Sequence, residues 1–320
     1  MPGKTMIANI TSRYLCSFLT LLLLVISTDC GGEEKPAVTF DRQKDKLVIQ
    51  IGGKPFTEYV FRDPNLARPY FANVFTPAGI KVTRNHPLEK GDQQDHPHHT
   101  GIFFTFGDLN GADFWHGKGK TKHLNFIVHP ESRLGTGFFI VRNLYSSPDG
   151  KTPYCAGTCH YTIDVVPQGY RIIMETRISW DKGDFSIGSK EEGGLAARVA
   201  TALTVENGGT MTDSEGRSGG KAIWGQQADW VDYSGSLQGK HVGLTIMAHP
   251  GNFSRCWWHA RDYGLMSANP FGPLNKKDLR KVIKPGKSLH LSYAVLIHSH
   301  DQAGQYRPAE AYRQYAGPKR

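Results

Sequence analysis

The chain has 320 residues, 39% hydrophobic and 21% charged, with 36 glycines and 18 prolines. That balance supports a substantial buried core and excludes an intrinsically disordered chain. The formal net charge of +9 favours acidic partners, but the lysines and arginines are scattered and form no basic cluster interleaved with aromatics, which excludes DNA and RNA as expected partners.

Lys4 and Arg13 precede the apolar run "LCSFLTLLLLVIS". The run is short for a membrane span and has the layout of a secretory signal, so residues 1–30 are predicted to be a signal peptide and residues 31–320 one β-sandwich domain. Cleavage after Ser27 would give a periplasmic or extracellular protein. Cleavage before Cys30 would leave it lipid-anchored through that cysteine, although Asp29 stands where a small residue is usual. No stable membrane span is expected in the mature chain. The remaining cysteines, Cys155, Cys159 and Cys256, are odd in number and argue for buried thiols over a disulfide framework, with a Cys155–Cys159 or Cys159–Cys256 bridge as the alternative.

The first predicted strand is "KLVIQIGG". Next comes "DHPHHTG", residues 95–101, which places an aspartate and three histidines ahead of the strand "GIFFTFGD". In an extended chain His96 and His98 point one way and His99 the other, and Pro97 marks a loop or sheet edge. A His-x-His pair holds first-row metals well, with Asp95 as ligand or tautomer anchor, so His96 and His98 are the candidate ligands for a divalent metal. The glutamate of the cupin pattern is absent, because Ile102 and Phe103 stand there. The same imidazoles also suit metal-free proton transfer or substrate contact, and a purely structural turn is the third reading.

"GDLNGADFWHGKGK" then adds Asp113, Trp115 and His116 after a turn, and Trp115 is read as a stacking surface for a sugar ring. The strands "LNFIVHP" and "GFFIVRNLYSS" lead to "CHYTIDVVPQGYRIIMETRISW", a hairpin with its turn at Pro167-Gln168-Gly169. In its second half Tyr170, Ile172, Met174, Thr176, Ile178 and Trp180 share one face, while Arg171, Glu175, Arg177 and Ser179 share the other.

In "KEEGGLAARVA" a glutamate pair precedes a strand that carries Arg198, and Glu192 is the candidate acid/base. "AARVATALTVENGG" reads as one strand, and "ENGGTMTDSEGRSGGK" reads as a long loop. After "KHVGLTIMAHP", the segment "HPGNFSRCWWHARDYGLMSANPFG" concentrates Trp257, Trp258, His259, Arg261, Asn269 and Phe271, a set suited to a polyol. Neighbouring residues on a strand face opposite ways, so one of Trp257 and Trp258 belongs to the core. "SLHLSYAVLIHSH" is the last strand, and "RPAEAYRQYA", with Pro308 in its first turn, is the only persuasive helix. The expected fold class is all-β, a large multi-stranded β-sandwich with little helix. The absence of GxGxxG, Walker, GxSxG and HExxH patterns disfavours nicotinamide, nucleotide, α/β-hydrolase and zincin chemistry.

The segments "RPYFANVFTPAGIKVTR", "DHPHHTGIFFTFGDLNGADFW", "EEGGLAARVA", "QADWVDYSG" and "WWHARDYGLMSANPFG" resemble, in this order and over nearly the whole mature chain, the exported bacterial proteins grouped as PmoA-like (methane oxygenase PmoA), an uncharacterised family. Methane oxidation is not implied, since particulate methane monooxygenase subunits cross the membrane repeatedly and the mature chain has no 18-residue apolar run. The family is similar, more distantly, to the galactose-mutarotase-like super-sandwich of sugar epimerases, several glycoside hydrolases and polysaccharide lyases. That resemblance implies His, Arg and carboxylate site residues on a concave sheet face, for which Arg68, His98 or His99, Glu192 and His259 are the corresponding types. Thr100 stands where relatives usually carry Arg.

The expected function is that of an exported carbohydrate-active protein, a hydrolase, lyase or epimerase on a glycan fragment. His98 or His99 would transfer a proton with Glu192 as partner, and Arg68, Asp95, Asp113, Trp115, His116, Arg198, Trp258, His259 and Asn269 would contact the glycan or other small polar substrate. One alternative is a metal enzyme using His96 and His98, acting as hydrolase or oxygenase. The other is a non-catalytic glycan-binding module.

Overall fold

A computed structural model describes residues 36–133, 135–272 and 280–317. These belong to a compact unit, Lys35–Arg320; the other unit, Met1–Glu34, contains the predicted signal segment and lies outside the described residues.

Two antiparallel sheets of eight strands dominate the unit. The front sheet runs, in spatial order, Val38–Arg42, Lys46–Ile51, Lys54–Val60, Tyr70–Ala72, Ile102–Phe106, Gly193–Arg198, Leu265–Asn269 and Trp257–Arg261. The back sheet runs Thr210–Asp213, Trp230–Leu237, Lys240–Ala248, Ser288–His300, Gly169–Ser179, Pro153–Val166, Thr136–Ser146 and Lys120–Arg133. Phe185–Ile187 and Lys281–Ile283 form a small third sheet. The all-β sandwich expected from the sequence is therefore the fold.

Alternation drives the packing. Along Lys46–Ile51 every second residue is buried, and along the second half of the predicted hairpin Tyr170, Ile172, Met174, Thr176 and Ile178 are buried while Arg171, Glu175 and Arg177 face outward. The inward faces meet between the sheets. Tyr59 lies 5.1 Å from Phe139 and 5.2 Å from Tyr161, and Phe71 lies 5.3 Å from Tyr161, ring to ring. Burying each such aromatic contributes roughly 1.5–3 kcal/mol relative to leaving it exposed. Cys155, Cys159 and Cys256 are buried free thiols, and burial raises the proton affinity of all three.

Both outer faces are covered in part. On the back sheet the C-terminal helix Pro308–Ala316 seats Ala311 and Tyr312 against Trp230, Met247 and Leu296. On the front sheet Tyr70, Phe103, Ala196 and Leu265 point outward and are covered by Leu66 and Trp115 from the connecting loops. Ile102–Phe106 is buried at all five positions for that reason. Among the described residues no helix is long and apolar enough to cross a membrane.

Two readings of the sequence need correction. "AARVATALTVENGG" is strand only to Arg198; the chain then makes two 3-10 turns, Thr201–Leu203 and Val205–Asn207. The carbonyl of Thr201 accepts from the Thr204 hydroxyl at 3.1 Å and the Asn207 amide at 3.0 Å, and these side chains outcompete further strand pairing. The segment read as a long loop contains the edge strand Thr210–Asp213 and the short helix Gly220–Ile223. It is ordered by the buried Asp213 carboxylate, which accepts from the Arg217 side chain at 2.6 Å and from two backbone amides.

Strand order positions the site. Gly193–Arg198 inserts between Ile102–Phe106 and Leu265–Asn269, pairing antiparallel to both. It must approach closely: a Cβ on Gly194 would lie 1.9 Å from the Ala268 carbonyl oxygen, and one on Gly101 would lie 2.0 Å from that of Phe71. The insertion brings the loop before Ile102, the loop after Phe106 and the glutamate pair before Gly193 to one face.

Candidate functional site

The residues 95–101 form a turn rather than an extended segment. The His99 amide donates to the His96 carbonyl at 2.9 Å, and His96 adopts a positive φ of 38°. The alternation expected for an extended chain is therefore replaced by stacking: the His96 ring lies parallel to that of His99 (4.9 Å, 2°) and to that of Tyr263 (4.9 Å, 12°). His96 and His98 are 5.9 Å apart and inclined at 72°.

The turn is held from below by two buried arginines. Arg84 donates to the carbonyls of Gln93, Asp95, His96 and His99 at 2.8–3.0 Å and to the Asp95 carboxylate at 2.6 Å. Arg198 donates to the same Asp95 oxygen and to the Gln93 side chain, both at 2.8 Å, and its guanidinium lies 4.5 Å above Tyr263. The second oxygen of Asp95 faces His96 Nδ1 at 2.9 Å. Burial opposes ionisation of Asp95, but the His96 hydrogen bond and the Arg198 and Arg84 charges outweigh it and hold the carboxyl below its usual range. Asp95 and Arg198 are thus committed to each other. Two guanidinium groups occupy Asp95 Oδ1, and Oδ2 is engaged by His96 Nδ1; among the described residues no three His, Cys, Asp or Glu side chains converge as a ligand set.

Arg68 plays a parallel role. Its guanidinium, 4.1 Å above Phe103, donates to the carbonyls of Trp115 (3.0 Å) and His98, and burial lowers its pKa to about 9. It ties the histidine turn to the loop that follows Phe106.

That second loop brings His116 within 4.8 Å of His98, ring to ring. His116 Nδ1 faces the Asp113 carboxylate at 2.9 Å, and its backbone amide donates to the other Asp113 oxygen at 3.0 Å. His116 Nε2 looks toward Glu192 at 4.0 Å. Burial raises the proton affinity of Glu192 against the opposing charge of His116. His98 is pushed down to about 4 by burial and by the His116 and Arg68 charges. His116 is 44% exposed and Glu192 25%, so both are accessible from solvent.

Other predicted contacts lie deeper. Trp115 and Trp258 are 1% exposed, and the Trp258 indole donates to the Ala228 carbonyl at 3.0 Å. Neither offers a free ring face, so the sugar stacking expected of Trp115 and the glycan contact expected of Trp258 are corrected to core packing. Trp258 is the core indole of its pair, as strand alternation requires. His99 is buried among His98, Phe103 and Trp115, and burial lowers its proton affinity strongly. His259 is buried 6.0 Å from Trp115 and is pushed down to about 3 by burial, then by the Arg261 charge. Asn269 donates to the Lys190 carbonyl at 2.6 Å and accepts from the Phe271 amide at 3.0 Å, which anchors the loop that carries Glu192. Thr100 is buried and places no charge here; the guanidinium groups beneath the turn come from Arg84 and Arg198. Arg84 and Tyr263 were not singled out from the sequence, although both fall within segments that carry the family resemblance.

The family model described as "Family of unknown function (DUF6807)" matches residues 46–312. The chain belongs to the DUF6807 family. The match spans every site residue above, so the site lies wholly within the DUF6807 region. No curated protein matches this DUF6807 chain. Among solved structures, it is similar to the Slr1438 protein of Synechocystis sp. PCC 6803, at 10% identity and a TM-score of 0.33, covering 82% of this chain and 96% of that one. A protein assigned as a kojibiose phosphorylase from the human microbiome is similar at 9% identity and a TM-score of 0.32, covering 88% of this chain and 36% of that one.

Proposed function

We propose that this protein is an exported carbohydrate-active enzyme, a hydrolase, lyase or epimerase that moves protons on a glycan fragment with Glu192 as acid and His116 as base. The observation that carries the reading is the line Asp113, His116, Glu192, with separations of 2.9 Å and 4.0 Å. Asp113 receives the Nδ1 proton, which fixes the tautomer and leaves the Nε2 lone pair free to accept a proton from substrate. Glu192, whose proton affinity burial raises, donates to the same bound group from beside His116. His98, kept neutral beside them, supplies a hydrogen bond to a sugar hydroxyl without adding charge. In this reading Arg68, Asp95, Arg198 and Asn269 are positioning residues, and His99, Trp115, Trp258 and His259 form the packed floor.

The glycan class draws support from the super-sandwich resemblance of the sequence, and the proton-transfer step draws support from the geometry. Export draws support from the leader-like residues 1–30. Turnover of a panel of oligosaccharides is the test, with the parent beside Glu192→Gln and His116→Asn. Loss of on the order of 10²–10⁴ in rate is expected in each variant. Activity that survives both substitutions would remove these residues from the mechanism, and a panel neither bound nor turned over would remove the glycan class.

A further inference from the structure

A cleft of about 520 Å³ opens beside the site, within the range of about 300–1,000 Å³ usual for small-ligand sites. Arg68 joins the two, since it lines the cleft and also holds the His98 and Trp115 carbonyls. Five cations line it, Lys44, Arg62, Arg68, Lys120 and Lys122, against the acids Asp45 and Asp63.

The imbalance is larger than the count. Asp63 accepts from the Tyr70 hydroxyl at 2.5 Å and faces His86 Nε2 at 3.2 Å, so its carboxylate is turned to those partners. Lys44 and Lys122 are exposed, and among the described residues neither forms an ion pair. Arg68 Nε is buried at the cleft wall with no hydrogen-bond partner among the described residues, and the buried His123 ring lines the wall beside it. The buried Phe61 and Leu66 also line the cleft, and Phe61 packs 4.9 Å from the His123 ring. Cations from separate segments over an apolar floor suit a ligand with apolar C–H faces and spaced negative charges, rather than one compact dianion.

We infer that the cleft is a subsite for the carboxylates of a uronic-acid-containing glycan whose reacting residue sits at Glu192 and His116. The inference rests on the proposed glycan reading and narrows it to acidic sugars. Lys44, Arg62 and Lys122 contact carboxylates directly. Arg68, its Nη atoms engaged with carbonyls, contributes its charge.

The test is calorimetric binding of short oligogalacturonates, oligomannuronates and oligoglucuronates, each beside its carboxyl-reduced counterpart, to the Glu192→Gln protein, in which turnover is blocked. Inorganic sulfate and phosphate form a separate arm. At least one uronide is expected to bind tenfold or more tightly than its reduced form and to weaken as salt rises, with affinity falling on the order of tenfold when Lys44→Gln and Lys122→Gln are combined. Reduced and acidic forms binding equally, or an unaffected double variant, would overturn the subsite while leaving the glycan reading in place. Sulfate or phosphate binding without any uronide would reduce the cleft to a free-anion site, and no binding of any oligosaccharide would overturn the subsite and the glycan reading together.

Discussion

Arg84→Met tests whether the histidine turn is built on one guanidinium. The substitution keeps much of the aliphatic volume and removes five hydrogen bonds, four to carbonyls and one to Asp95. Bonds to a charged group contribute about 1.5–3 kcal/mol each when taken singly, but five from one group do not add. Removing one partner of a buried ion pair costs about 3–5 kcal/mol. Asp95 is 33% exposed and keeps Arg198, so water recovers part of the loss and the low end, about 3 kcal/mol, applies. For a domain of this size that corresponds to a fall in Tm of roughly 5 °C. Urea and thermal unfolding would measure it, and amide exchange across residues 93–99 would show whether the turn is released first. Arg84→Lys should recover less than half, since one ammonium cannot reach acceptors spread over both guanidinium Nη atoms. A loss under about 1 kcal/mol with unaltered exchange protection would refute the reasoning.

Acid should destabilise the fold through its neutral histidines. His98 and His259 titrate at about 4 and about 3 in the folded chain against about 6.5 unfolded, so the unfolded state binds more protons and their contribution, complete above pH 6.5, is lost as pH falls toward those values. The slope is about 1.4 kcal/mol per pH unit for a fully buried histidine, and less for the half-exposed His98. The urea midpoint should fall between pH 7 and 4.5, and His259→Asn should flatten the curve; an unchanged slope in that variant would count against the assignment. Gly101→Ala should cost about 3 kcal/mol, at the upper end for overpacking, because its Cβ would lie 2.0 Å from the backbone oxygen of Phe71; a urea midpoint like the parent's would show that the two strands can separate at no cost.

Much of the fold was legible because alternation is a local property. The hairpin around Gln168, the strands beginning at Lys46 and Thr136 and the first half of the strand beginning at Ser288 follow from side chains that alternate across a sheet with one face in the core. The helix after Arg307 follows from Pro308 in its first turn. Short strands such as Phe185–Ile187 and Lys281–Ile283 left no such trace, since three residues are too few to show a period.

The composition of the site was also visible, since Asp95, His98, Asp113, His116 and Glu192 stand in compact, polar, glycine-flanked segments. Their roles were not. Which imidazole remains accessible depends on Gly193–Arg198 inserting between two strands distant in sequence, which sets His116 opposite Glu192 and sinks His99 under Trp115. Arg84, in an irregular segment, and Arg198, at a strand end, look like any other arginines until the turn folds over them. Sequence determined which residues alternate and which chemical groups are present; burial, pairing and proton affinity were decided by tertiary structure, because each depends on neighbours brought from elsewhere in the chain.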